Sequence, residues 1–267
     1  MEKIGLIAGN KKFPIIFAEA AKKKGYDIVA VAIKGDTSSR LKKFVSKICW
    51  LGLKDYSRLF DVFKSEGIVK IVMAGQVSPY RLFSKEVRRD SRLKKILTQA
   101  KDSRADTVFG AIAEELKSAG FELIDPTFLL GDFLPKKGVL TRREPDFNEW
   151  EDIYFGLELA KEMGLLDIGQ TVAVKQKAVV AVEALEGTDN LIHRAGRIAK
   201  KGATIVKVSK PNQDMRFDIP VVGLNTVKNL VKAKAACLAI EAGKTLFIDK
   251  AQSIGLADSH CISIVAV

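Results

Sequence analysis

The sequence predicts an α/β protein. It has a Rossmann-like N-terminal domain with a mostly parallel sheet, followed by a second α/β domain. Three observations carry that expectation. An apolar run at 3–8, a turn at 9–14, an apolar helix at 15–22 and a second apolar run at 27–33 give strand–helix–strand order, which builds parallel sheets. The alternation of strand-like and helix-like segments then continues to Ile124. Beyond it the composition shifts, with Pro135, Gly138 and Pro145 among charged residues, as expected of a linker or exposed loop. The domain expectation is therefore 1–134 and 135–267.

In order, Pro14 suits the first turn of the first helix and Gly25 its end. Strands are expected at 47–51 and 69–74, with an amphipathic helix at 57–64 between them. The stretch from Tyr80 to Lys101 is basic and helix-prone, 107–119 is a further helix, and 121–124 closes the first domain. In the second domain the pattern gives a helix at 150–163, a turn at 167–170 and a hairpin of 171–174 with 178–182. A helix at 190–200, capped by Thr188 or Asp189, precedes a strand at 203–208. A long helix at 226–242 and strands at 245–248 and 261–267 complete the chain.

Composition narrows the function. With 267 residues, 47% of them hydrophobic, the chain can bury a core. No apolar run reaches the roughly 18 residues of a membrane helix. The start of the chain enters a strand almost at once, without the pattern of a signal peptide. Three scattered cysteines and two histidines leave cysteine zinc sites and imidazole catalysis poorly supplied, and suggest a reducing compartment. The net charge of +12 attracts polyanions. It is dispersed over lysine pairs, and no nucleic-acid-binding motif accompanies it, so no nucleic-acid partner is expected. The turn after the first strand lacks the later glycines of a dinucleotide fingerprint.

Four loops hold the chemistry. In open α/β sheets ligands bind at the ends of the strands, which marks Gly9, Asn10 and Lys11 after the first strand, and Gly75 and Gln76 after the fourth. In the second domain, 186–189 and 210–220 both follow strands. The latter holds Lys210, Gln213, Asp214, Arg216 and Asp218 between Pro211 and Pro220. Taken alone it is a solvated loop with an Arg–Asp pair, and 186–189 a helix cap. If their strands are neighbours, three or four carboxylates converge, which is costly without a cation. Mg²⁺, with one or two carboxylates and a substrate phosphate, is the ordinary choice.

These residues also carry a resemblance. Gly5-Leu6-Ile7-Ala8-Gly9 with Phe13-Pro14, Ala74-Gly75-Gln76-Val77, Leu166-Asp167-Ile168-Gly169-Gln170, Ala181-Val182-Glu183-Ala184 with Glu186-Gly187-Thr188-Asp189, and Lys210-Pro211 with Gln213, Arg216, Asp218, Pro220 and Gly223 occur in one order. Over essentially its whole length the chain resembles the UDP-2,3-diacylglucosamine pyrophosphatases of the LpxI type, hydrolases of lipid A biosynthesis. The resemblance implies substrate held between two domains and cleavage of the pyrophosphate to UMP and 2,3-diacylglucosamine 1-phosphate with Mg²⁺ or Mn²⁺. It implies Asp218 first and Asp214 second as catalytic residues, and the chemistry of the loop adds Arg216, suited to phosphate charge. Gly9, Asn10, Lys11, Gly75, Gln76, Gln170, Thr188, Lys210 and Gln213 would bind substrate, and Asp218, Glu186 and Asp189 would hold the metal. Its partners would be a lipid-linked UDP-sugar and an anionic membrane surface, with a cytoplasmic enzyme attached peripherally to the inner membrane and a homodimer left open. One departure is the first turn, usually glycine-rich but here Asn10-Lys11-Lys12, where either the backbone stays further from a ligand or Lys11 supplies a cation. A non-catalytic nucleotide-sugar-binding regulatory protein is the alternative.

Overall fold

The computed structural model describes residues 2–77, 81, 84–102 and 105–267, with the backbone alone at 105 and 106. The chain divides into two compact units, Met1–Leu130 with Met215–Phe217, and Gly131–Asp214 with Asp218–Val267.

The first unit holds β1 (Lys3–Ala8), α1 (Phe13–Lys23), β2 (Asp27–Ile33), β3 (Lys47–Leu51), α2 (Arg58–Ser65), β4 (Lys70–Ala74), α3 (Ser91–Gln99), α4 (Ala105–Ser118) and β5 (Glu122–Leu123). Its sheet runs β3-β2-β1-β4-β5, every pair parallel. The strand order reverses between β1 and β4, the place where such sheets open a ligand crevice. Fully buried strands need no polar alternation, which is why Ile4 to Ala8 and Ile28 to Ile33 are continuous apolar runs. The basic stretch becomes a helix only at Ser91. Asp90, 5% exposed, caps it by accepting the Arg92 and Leu93 amides at 3.0 Å, and also takes the Ser57 amide at 2.8 Å. Ser78 and Pro79 of the second turn, and Tyr80 at the head of the basic stretch, lie outside the described residues.

The second unit holds β6 (Gly138–Val139), α5 (Phe147–Leu165), β7 (Thr171–Lys175), β8 (Ala178–Val182), α6 (Thr188–Ala199), β9 (Thr204–Lys207), β10 (Val221–Val222), α7 (Leu224–Ala233), β11 (Cys237–Ile240), β12 (Leu246–Phe247), α8 (Lys250–Ser259) and β13 (Ser263–Ala266). Six strands form the sheet β6-β13-β11-β9-β7-β8, and β10 pairs with β12 separately. The two-residue period of the strands divides its core. Val172, Val174 and Val206 meet Ile153 and Ala160 of α5, whereas Ala173, Ile205 and Leu238 meet Leu191 of α6 and Leu230 of α7. Helix α5 begins three residues before the sequence expectation. Asp146 accepts the Glu149 amide at 2.9 Å and Glu149 returns the contact to the Asp146 amide at 3.0 Å, a reciprocal cap.

The expected helix at 226–242 is overturned in its second half. It ends at Ala233, Lys234 takes the left-handed conformation (φ 52°), and Cys237–Ile240 is a central strand between β9 and β13. Ala235, Ala236 and Ala239 favour helix locally, but ladder bonds on both sides and complete burial decide otherwise. Helix α8 and the short strand β6 carry no strong pattern and were not expected.

Candidate active site

In the first unit, the two predicted turns are sewn together. Gly9 donates its amide to Ala74 O at 2.8 Å and Asn10 donates to Gln76 O at 2.8 Å. Gly75 has φ 81°, and a Cβ there would stand 2.5 Å from Asn10 O. One at Gly9 would stand 2.7 Å from Gln76 O. Only glycine lets the two backbones meet so closely. Gly9, Asn10, Gly75 and Gln76 thus sit together at the ends of β1 and β4, and Lys11 follows, exposed and in the left-handed region at φ 63°. Arg81, which sequence reading passed over, is committed nearby, donating to Lys34 O at 2.6 Å and to Asp36 at 2.9 Å.

In the second unit, strand direction gathers three loops. Strand β7 is antiparallel to both β8 and β9, so the turn entering β7 and the loops leaving β8 and β9 share one edge. The strands of the two acidic loops are therefore not neighbours, so the condition for their carboxylates to converge is not met. Strand β7 separates them, which places β8 and β9 about 10 Å apart at the usual strand spacing.

The acids of the loop after β8 meet separate partners from neighbouring helices. Glu186 pairs with Arg194 of α6. Asp189 accepts from Asn225 Nδ2 at 3.0 Å and Asn229 Nδ2 at 2.9 Å. Neither Thr188 nor Asp189 caps α6; Gly187 holds that position, with φ 81°. The Thr188 hydroxyl instead donates to Glu183 Oε1 at 2.9 Å and accepts from Lys207 Nζ at 2.8 Å. Lys207 and Glu183 are buried, and neither was among the expected site residues.

The loop after β9 is organised around Lys210. Its side chain is only 8% exposed, and its ammonium pairs with Asp167, 10% exposed, and lies 3.6 Å from Asp218 Oδ2. A buried cation is tolerated only when paired in this way. Gln213 ties the loop shut, accepting the Lys210 amide at 2.7 Å through Oε1 and donating through Nε2 to both the backbone carbonyl and the carboxylate of Asp218. The Asp218 amide donates to Asp214 O at 3.1 Å. Arg216 belongs to the three-residue segment counted with the first unit. Asp167 is the residue the sequence reading left out of the site, although it stands in a quoted motif. Beside it, Gly169 lies where a Cβ would fall 2.2 Å from Glu183 O. Gln170 accepts the Val208 amide at 2.9 Å through its carbonyl.

The three carboxylates expected to hold a metal do not assemble: among the described residues no group of three or more His, Cys, Asp or Glu is placed to do so. Glu186 and Asp189 are bound elsewhere. The donors that do converge are Asp218 and Asp167, on one ammonium, and Asp167 Oδ2 is buried with no hydrogen-bond partner among the described residues. An acceptor pair of this kind suits Mg²⁺, which uses one or two carboxylates. Cys237 is no nucleophile, since burial in the sheet core pushes its thiol well above its usual range.

The sequence matches two family models end to end, the LpxI N-terminal domain over 3–133 and the LpxI C-terminal domain over 136–265. The chain belongs to the LpxI family. A curated LpxI relative, the UDP-2,3-diacylglucosamine pyrophosphatase LpxI of Caulobacter vibrioides, is 28% identical over 278 residues, covering 100% of this chain and 98% of its own. Two solved structures give remote likenesses. The biotin carboxylase domain of Hydrogenobacter thermophilus 2-oxoglutarate carboxylase aligns at 14% identity and TM-score 0.29, over 74% of this chain and 41% of that one. The N5-carboxyaminoimidazole ribonucleotide synthetase of Thermotoga maritima aligns at 15% and 0.26, over 71% and 43%. The LpxI chain thus spans less than half of either.

Proposed function

We propose that this LpxI chain hydrolyses the pyrophosphate bond of UDP-2,3-diacylglucosamine to UMP and 2,3-diacylglucosamine 1-phosphate in lipid A biosynthesis, with Mg²⁺ or Mn²⁺. The full-length match to the Caulobacter pyrophosphatase supports the substrate. The observation that carries the chemistry is the buried Asp167–Lys210 pair with the half-buried Asp218 beside it.

Pyrophosphate hydrolysis needs negative charge neutralised on the phosphoryl oxygens and a water held in line. Lys210 supplies a desolvated positive charge, and Arg216 a planar donor suited to bidentate phosphate contact. Asp218 orients the attacking water and takes its proton. Gln213 fixes that carboxylate's direction through its amide. Asp167 holds the Lys210 ammonium. Asp218 and Asp167 would hold the divalent ion, which supplies Lewis-acid neutralisation of the phosphates. The turns carrying Gly9, Asn10, Gly75 and Gln76 would take the nucleotide, with Lys11 as a cation at their rim. Asp214 shapes the turn through its carbonyl, which makes it secondary to Asp218.

Attachment to an anionic membrane surface fits the net charge of +12 and the exposed Leu165, Leu166, Ile168 and Leu185 in the two loops beside the site. No helix among the described residues is long and apolar enough to cross a membrane, so the surface would be met peripherally. Cosedimentation with anionic but not neutral vesicles is expected, and equal partitioning would argue against it.

The deciding experiment incubates the protein with UDP-2,3-diacylglucosamine and Mg²⁺ and follows both products by mass spectrometry. Binding of the nucleotide sugar without release of UMP would establish the regulatory alternative instead.

A further inference from the structure

Lys210 is held from a second side, by residues no part of the proposed chemistry uses. Just before it, both main-chain polar groups of Ser209 are engaged by side chains. Its amide donates to Glu241 Oε2 at 2.9 Å, and its carbonyl accepts from Lys161 Nζ at 2.8 Å. The same Lys161 donates to Glu241 Oε2 at 2.6 Å, so the two side chains and Ser209 close a ring. Glu241 follows directly on β11, whose Ile240 pairs with Lys207 of β9, and this places its carboxylate beside residues 208 and 209. Lys161 comes from α5. The same helix lies close under the loop at Gly164, where a Cβ would meet Pro211 Cδ at 3.2 Å and Lys210 Cα at 3.3 Å. The ring is shielded, since Ser209 is 2% exposed and the Glu241 side chain 15%. Pro211 has no amide with which to anchor the chain after Lys210. Ser209 thus adds a fixed point ahead of Lys210, beside the bonds of the Val208 amide to Gln170 O and the Lys210 amide to Gln213.

We propose that Glu241, acting with Lys161, is a positioning residue for turnover: by fixing the Ser209 main chain it sets the place from which the Lys210 ammonium meets the reacting phosphate. The inference rests on the hydrolase reading. Misplacement of a catalytic group by about 1 Å can cost on the order of 100-fold in rate, so the ring matters to kcat and much less to substrate capture. Lys244, which reaches the other carboxylate oxygen at 2.7 Å from an exposed position, does not touch Ser209.

The test compares UMP release by wild type, Glu241→Ala, Glu241→Gln, Lys161→Met and the double variant Glu241→Gln/Lys161→Met, together with amide hydrogen exchange over 209–213. Glu241→Ala is expected to lower kcat about 10- to 100-fold, with KM within about twofold and exchange at Ser209 accelerated. Glu241→Gln, which keeps an acceptor for the Ser209 amide, should recover most of that rate. The double variant should be little worse than the poorer single one, as for residues acting in one network. Lys244→Met should behave as wild type. If Glu241→Ala does not fold, Lys161→Met carries the test, with kcat expected to fall about 10-fold and KM to stay within about twofold. Unchanged kcat, a loss confined to KM, or additive losses in the double variant would overturn the inference while wild type stays active. A wild type that releases no UMP would overturn the hydrolase reading and the role in turnover with it.

Discussion

The loop over 183–189 and the loop over 208–218 leave one edge of the same sheet, and both are rich in acid. In the first, the carboxylates meet separate partners: Glu186 takes Arg194, Asp189 takes two asparagine amides, and Glu183 takes Thr188 through Oε1, its Oε2 buried 3.9 Å from the Lys207 ammonium. In the second, Asp218 and, from the turn entering β7, Asp167 converge on the buried Lys210 ammonium. The first pattern builds a wall. The second concentrates charge in a place where removing solvent makes it strong. Acid content alone does not mark a site; how many cations share it does.

The comparison can be broken most sharply at Lys210. Lys210→Met should lower kcat/KM for UMP release by about 100-fold or more, the size of effect seen when one donor to developing charge is removed. A variant within about threefold of wild type would dissolve the distinction between the loops. Asp218→Ala should fall as far. If the folded variant hydrolyses at near wild-type rate, the role given to Asp218 is wrong.

Asp167→Asn comes next. Breaking one side of a buried pair costs about 3–5 kcal/mol, so thermal unfolding should shift down and activity fall together. Unchanged melting would mean that Lys210 does not depend on Asp167. Metal binding should follow the same split. Mn²⁺ titration by electron paramagnetic resonance should weaken in Asp218→Asn and Asp167→Asn, and stay unaltered in Glu186→Gln and Asp189→Asn.

A smaller effect is expected with pH at Glu241. Burial would raise its pKa, but hydrogen bonds from Lys161, Lys244 and the Ser209 amide outweigh that and hold it below the ordinary glutamate range. A depressed folded pKa stabilises above the unfolded value, about 4.3, and that contribution is lost as pH falls through the folded value. The stability gap between wild type and Glu241→Gln should therefore be full near neutrality and close on acidification below about pH 4. A gap that widened on acidification would reverse the sign. Smallest of all, Glu186→Gln removes a partly exposed pair worth about 0.2–1 kcal/mol and should leave turnover within about twofold.

Much of this was legible in residues. The parallel first sheet followed from apolar runs that do not alternate, and its two ligand-side turns from glycines at strand ends. Lys210, Gln213 and Asp218 stood out because two prolines bracket a stretch too charged for a plain connection. What was misread shares a cause. Residues 235–240 look helical because alanine favours helix when nothing else is specified, and only the ladders of β9 and β13 make them a strand. Glu186 and Asp189 look like metal ligands until Arg194, Asn225 and Asn229 are seen beside them.

The sequence by itself determined the α/β class, the family and the identity of the charged loop, because each depends on local pattern or on an ordered set of motifs. The tertiary structure alone decided which charges meet. Asp167 reaches Lys210 across 43 positions, and Glu241 reaches Ser209 across 32. Strand order sets both contacts, since one β-strand inserted between two others separates a pair of acidic loops that the chain presents as equals.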